Sequence, residues 1–293
     1  MDPYEEMGKI GNKNMKIEVV TTFHKEGLDT YGQRFLNSFA HNVPKEIKLT
    51  VYAENCVPVN PNSKQIVILD ASHLTDLHEF KTKWKDVPKA NGKCPFPERR
   101  PRDHHKEFKW DAVRFANKVY AVFDAVMKTD ADWVVWMDAD TYVHSPITNE
   151  EFESLLDPKH WITYVGRGKG SQSWPECGFY GINMHDPAAQ YFLGEFQRMY
   201  DDAENGIFKL EEWHDSFVFG HILNDMKSKY PHFYDYTDGI YNKTAKTGGG
   251  GHPLINSVLG TWFDHMKGGR KDTGHSHKKD LMSQRKEKYW NEI

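Results

Sequence analysis

Two carboxylates, Asp138 and Asp140, stand one residue apart across Ala139, after the apolar run Trp133-Val134-Val135-Trp136-Met137 and before Thr141-Tyr142-Val143. An apolar run of this length between turn formers reads as a strand buried on both faces, so the carboxylates fall at its C-terminal end. In an open α/β sheet that end is where ligands bind. Residues i and i+2 of an extended chain point the same way, so Asp138 and Asp140 are expected to converge on one ion. Close carboxylates repel and raise one another's pKa unless a cation lies between them. A hard divalent ion, Mn2+ or Mg2+, answers that need and keeps positions open for phosphate oxygens. Its expected work is to neutralise the charge of a departing nucleotide diphosphate.

A second group of reactive side chains, Glu211, Glu212, His214 and Asp215, crowds around Trp213. A helix with Phe217, Val218, Ile222 and Leu223 on its core face follows, so Asp215 or Ser216 also fits as that helix's cap. Gly166-Arg167-Gly168-Lys169-Gly170 lacks the spacing of a phosphate loop and reads as a flexible loop. Two basic stretches remain: Arg99 to Lys106 among prolines, and Arg270 to Lys279 after the glycine clusters Gly248 to Gly251 and Gly268-Gly269. Each suits phosphate contact, and each equally suits a solvated loop or terminus.

These residues need a scaffold. Lys16 to Phe23 is a β-rich run, and its end sets the hydroxyls of Thr21 and Thr22 and the ring of Phe23 at the binding edge. Leu28 to His41 has helical spacing and stops before Pro44; Lys48 to Ala53 and Gln65 to Leu69 read as further strands. Strand, helix, strand at these lengths is a βαβ unit, hence a largely parallel sheet. Lys109 to Lys128 is a helix with one apolar stripe, with Lys118 off it and Arg114 near its edge. Glu150 to Leu156 and Ala188 to Asp202 read as helices, and Trp161 to Val165 and Gly178 to His185 as strands. Gly178 is a place where a ligand could approach the backbone. The expected architecture is a single α/β domain. It comprises a mobile leader (1–14), a catalytic domain (15–268) with a nucleotide-binding half (15–143) and an acceptor-binding half (144–268), and a basic flexible tail (269–293).

The 293-residue chain suffices for one large α/β domain, and its net charge of -4 excludes a generally basic nucleic-acid binder. Cys56, Cys94 and Cys177 are scattered and odd in number, which points away from a disulfide framework and toward a reducing compartment. The sequon at Asn242 is read as chance. No stretch reaches the roughly 18 apolar residues of a membrane span, and the N-terminus carries no secretory pattern. A soluble, cytoplasmic protein is expected.

A strand ending in Asp-X-Asp after a βαβ half resembles the GT-A-fold glycosyltransferases, which use nucleotide-sugar donors. Asp132 to Asp140, taken with Asn205-Gly206-Ile207 and Trp213-His214-Asp215-Ser216, resembles the blood-group type galactosyl- and N-acetylgalactosaminyltransferases. Those carry Asp-Val-Asp and an Asn-Gly-Ile run leading to Trp-His-Asp-Glu-Ser. The resemblance, which spans residues 105–225, implies a Rossmann-like sheet flanked by helices, a hexosyltransferase and a UDP-sugar donor. It implies that Asp138 and Asp140 hold the metal with Ala139 beside the nucleotide, that Thr22 and Phe23 border uridine, and that Arg114 lies near the donor. His214 and Asp215 would face the transferred sugar or acceptor. The family's Glu has no counterpart, since Ser216 or a gap stands there. Asp215, or Glu212 by a shift, is then the local carboxylate, and both retention and inversion of the anomeric carbon stay open. Asp264-His265-Met266-Lys267-Gly268 resembles the late His and Lys of this fold, which implies His265 as third metal ligand and Lys267, Arg270 and Lys271 on the phosphates. The acceptor is a glycan or, as for phage and protist relatives of this fold, hydroxymethylated pyrimidines in DNA, tracked by the two basic stretches. A nucleotidyltransferase and a non-catalytic nucleotide-sugar binder are the other readings.

Overall fold

The computed structural model describes residues 15–96, 107–167, 174–240 and 252–293. Strand β1 (Ile17–His24) leads through a short helix α1 (Lys25–Gly27) and a π-helical turn into α2 (Gln33–Asn42). Strand β2 (Lys48–Glu54), strand β3 (Ile66–Asp70) and helix α3 (Thr75–Trp84) follow. The long helix α4 (Ala112–Lys128) then returns the chain to β4 (Trp133–Met137), from which a turn leads to β5 (Thr141–Val143).

Helix α5 (Asn149–Ser154) begins at a reciprocal cap, in which Thr148 Oγ1 accepts from Glu151 N and Glu151 Oε2 accepts from Thr148 N. Strands β6 (Ile162–Val165) and β7 (Glu176–Asn183), helices α6 (Pro187–Asp201) and α7 (Asp215–Lys227) and strand β8 (Phe233–Asp235) complete the main body. The remaining described chain holds α8 (Pro253–Asn256), β9 (Phe263–His265), α9 (Arg270–Thr273) and α10 (Lys288–Glu292).

The main sheet has seven strands in the order β3-β2-β1-β4-β7-β6-β8, and β7 alone among them runs antiparallel to its neighbours. This is the mainly parallel, helix-flanked α/β sheet expected, and β4 and β7 join its two halves without a break. Its faces carry separate cores. Val134 and Trp136 pack toward α4, α6 and α7, whereas Trp133, Val135 and Met137 pack toward α2 and the C-terminal chain. This alternation explains why β4 is apolar at every position.

The sheet order places a crevice. From β1 the chain moves outward to β2 and β3, then crosses back to β4 on the other side of β1. β1 pairs with β4 only as far as Val20↔Trp136, while its pairing with β2 continues to His24↔Glu54. The end of β1 therefore stands beside an opening at the reversal of strand order, the favoured ligand position in such sheets.

The segment read as a flexible basic tail is instead packed. Trp290 is 2% exposed and donates from Nε1 to Gly260 O at 2.7 Å, and Arg285 donates to Ile255 O and Ser257 O at 3.1 and 3.0 Å. Charge count hid the few side chains, Leu281, Tyr289 and Trp290, that anchor it to the core. The leader, the Arg99–Lys106 stretch, residues 168–170 of the glycine-rich loop, the sequon and Gly248–Gly251 lie outside the described residues. The three cysteines are free, and among the described residues no helix is long and apolar enough to cross a membrane.

Candidate metal and nucleotide site

Asp138 and Asp140 do converge, but not by strand alternation. The chain leaves β4 into a turn closed by Thr141 N donating to Asp138 O at 3.1 Å. The turn and an incoming strand set the geometry. β5 pairs with β9 in the register Thr141↔His265, and Met266 N donates to Asp140 O at 2.9 Å. This two-stranded ribbon carries His265 to the pair from far along the chain.

His265 Nε2 lies 3.4 Å from Asp138 Oδ2 and 3.1 Å from Asp140 Oδ1. The three potential ligand atoms lie within 4.8 Å of one another. The other oxygen of each carboxylate is taken by a lysine: Lys118 reaches Asp138 Oδ1 at 2.8 Å, and Lys271 reaches Asp140 Oδ2 at 2.9 Å. Trp136 Nε1 also donates to Asp138 Oδ1 at 2.7 Å. Burial alone would raise the pKa of Asp138, but Lys118 and His265 outweigh it and hold the carboxyl well below the usual range. Asp140 is lowered too, burial being overcome by His265 and Lys271. Burial opposes charge on His265 as well, yet Asp140, Asp138 and Glu176 push its pKa up to about 10. The imidazolium is thus the cation between the carboxylates, and a divalent ion would replace its Nε2 proton.

The donor set fits such an ion. Two carboxylate oxygens and one imidazole nitrogen converge, and the second ring nitrogen faces a buried carboxylate, as is usual for a metal-binding histidine. That carboxylate is Glu176, with Oε1 3.4 Å from His265 Nδ1, an ion-pair approach in which no hydrogen bond has formed. Burial pushes Glu176 up, but Lys267 at 2.5 Å, His265 and Arg167 bring its pKa down to about 2. The ring also needs room. A Cβ on Gly178 would lie 2.5 Å from His265 Cε1, so the group that approaches this glycine's backbone is His265.

A cavity of about 350 Å³ opens at the crevice between β1 and β4. The sequence-derived residues Thr22, Phe23, Arg114, Asp138, Ala139, Asp140 and Lys271 line it. Thr21 does not, because it is fully buried in β1. Lys267 is turned to Glu176, and Arg270 forms a two-pronged pair with Asp280 at 2.5 and 2.6 Å. Of the three expected phosphate cations, Lys271 alone reaches this cavity. A larger cavity, about 420 Å³ beside Asp132, Trp133 and His185, lies at the other end of β4.

Glu212, His214 and Asp215 do not line this cavity. Asp215 is 3% exposed and its Oδ2 lies 2.9 Å from Lys118, which also reaches Asp138 and the Cys177 carbonyl. Lys118, off the apolar stripe in the helical pattern, is therefore a buried bridge between two aspartates, and they hold its pKa up against burial. His214 is buried among Phe108, Phe115, Trp174 and Phe217, with Glu212 Oε2 2.9 Å from its Nε2 and Lys109 3.0 Å from Glu212 Oε1. Burial would raise Glu212, but His214 and Lys109 lower it. Glu176 and Lys118 are the participants sequence reasoning missed. Their signals were slight: a carboxylate two residues before Gly178, and a lysine one helical turn beyond Arg114.

No protein-family model and no curated protein matches the chain. Among solved structures it is similar to the apo form of mouse xyloside xylosyltransferase 1, with 12% identity, coverage of 75% of this chain and 84% of that one, and a TM-score of 0.40. It is also similar to the apo structure of the bifunctional glycosyltransferase WbbM, with 12% identity, 76% coverage of this chain and a TM-score of 0.44. It spans 39% of that longer chain.

Proposed function

We propose that the chain is a metal-dependent glycosyltransferase of the GT-A type, moving a sugar from a UDP-sugar to an acceptor hydroxyl. The observation that carries this reading is the Asp138, Asp140 and His265 cluster opening, with Lys271, onto a cavity at the strand-order reversal. Asp138, Asp140 and His265 would hold Mn2+ or Mg2+, which when bound supplies the charge that stabilises a departing diphosphate. Lys271 supports the same phosphates from the cavity wall, and Thr22 and Phe23 border the nucleoside. Glu176 and Gly178 fix the ring of His265, the first by its charge and the second by leaving space.

On the acceptor side we place His214 and Glu212, because Phe115 lines the cavity and also belongs to the aromatic cage around His214. Asp215 is committed to Lys118, so we assign it the neighbourhood of the transferred sugar rather than a freely accessible base. The proposed acceptor is a glycan hydroxyl: Arg270, one of the cations that a DNA backbone would need, is committed to Asp280.

The test is UDP release from a panel of UDP-sugars with Mn2+, using wild type and Asp140→Ala. Release by wild type with at least one donor, lost in the variant, is expected. Tight UDP binding with neither hydrolysis nor transfer from any donor would make the chain a nucleotide-sugar binder instead.

A further inference from the structure

We propose that Glu54 selects the nucleotide by binding the ribose diol, an inference that rests on the function proposed above. Glu54 is the last residue of β2, in register with His24 at the end of β1, and it lines the same cavity as Asp138, Asp140 and Lys271. It stands where that cavity meets a second one of about 320 Å³, which shares Glu54 and Asn117 with the first. A nucleotide with its phosphates at Asp138 and Lys271 has the ribose one linkage away, between that end and Glu54.

The polar groups at this end of the cavity are mostly occupied. His24 Nδ1 accepts from Gly27 N at 3.1 Å, Thr22 Oγ1 donates to Tyr52 O at 2.6 Å, and Asn117 Nδ2 donates to Arg114 O at 3.0 Å. Lys81, on α3, donates to Asn117 Oδ1 at 3.1 Å and to Glu54 Oε1 at 2.5 Å. Glu54 Oε2 makes no hydrogen bond among the described residues, and the side chain is 23% exposed. Lys81 therefore clamps one carboxylate oxygen and leaves the other as an oriented acceptor. A carboxylate at the end of the second strand of a βαβ unit is well placed for vicinal hydroxyls, because a diol offers two donors to a group that only accepts.

The experiment is calorimetric titration of UDP and of 2′-deoxy-UDP, each with Mn2+, into wild type and Glu54→Gln. A hydrogen bond to a charged acceptor predicts that wild type prefers UDP by about tenfold. In Glu54→Gln the preference should fall below about threefold while affinity for the deoxynucleotide stays within about twofold of wild type. Equal weakening of both ligands, or an undiminished preference for UDP, would overturn the assignment while leaving the proposed function standing. Failure of wild type to bind either nucleotide would overturn both.

Discussion

His265 is the residue on which the proposed centre depends, because it offers the third potential ligand atom and, without metal, supplies the charge that lets Asp138 and Asp140 lie close together. Its orientation comes from outside the ligand set. Glu176→Gln keeps the shape and removes the charge facing Nδ1, so Mn2+ affinity should fall by roughly ten- to a hundredfold with little change in far-UV circular dichroism. Unchanged affinity would leave Glu176 without an orienting role. Gly178→Ala should act in the same direction by driving a methyl into the ring. The proton on His265 sets a pH dependence. Its pKa is raised to about 10, so its charge stabilises the metal-free fold below the unfolded value of about 6.5, and that contribution is lost as pH rises through 10. Mn2+ must displace the same proton, so its affinity should climb with pH across that window. A flat profile in calorimetry would show that His265 is not a ligand.

At the scale of elements, the centre depends on the β5–β9 ribbon, and the ribbon on the C-terminal chain. Asp264, next to His265, accepts from Ser276 N at 2.8 Å, Ser276 Oγ at 2.5 Å and the Tyr289 hydroxyl at 2.7 Å. Trp290→Ala removes a buried side chain beside this network and should cost about 3–5 kcal/mol, measured by urea unfolding. His144, after β5, stacks on Tyr289 at 4.2 Å with its ring nitrogens near Ser145 Oγ and Gly260 O. Burial lowers its pKa to about 4, so the fold favours the neutral ring. Stability should therefore fall as pH drops from about 6.5 toward 4, by roughly 3 kcal/mol for this group. His144→Gln should flatten that part of the profile, and an equally steep decline in the variant would refute the assignment.

These elements also show what the sequence could reveal. β1, β2, β4 and α4 were legible because long apolar runs or stripes mark them. β8 and β9 are three residues each and have no period to read, and α3 carries a weak stripe among charges. Asp138 and Asp140 were legible because one short segment holds both. Lys118 looked like a solvated helix charge because its two partners, Asp138 and Asp215, lie on other segments that only the fold brings to it. Arg270 shows the complementary case: Asp280, ten residues on, pairs with the charge that sequence alone left for phosphate.

For the whole molecule, the sheet order decides where chemistry can occur. β1 outlasts its pairing with β4, and the turn after β4, the end of β2, α4 and the returning C-terminal chain all contribute to the one cavity beside it. A net charge of -4 is compatible with anion binding there, because Lys118 and Lys271 concentrate positive charge at the two carboxylates. The metal reading makes nucleotide and ion binding interdependent: each should raise the affinity of the other by the same factor. The most direct measurement is calorimetric titration of UDP into wild type and Asp140→Ala, with and without Mn2+. The account predicts that Mn2+ tightens UDP binding to wild type by about tenfold or more and has no such effect on Asp140→Ala. Equal UDP affinity with and without Mn2+ in the wild-type protein would contradict it.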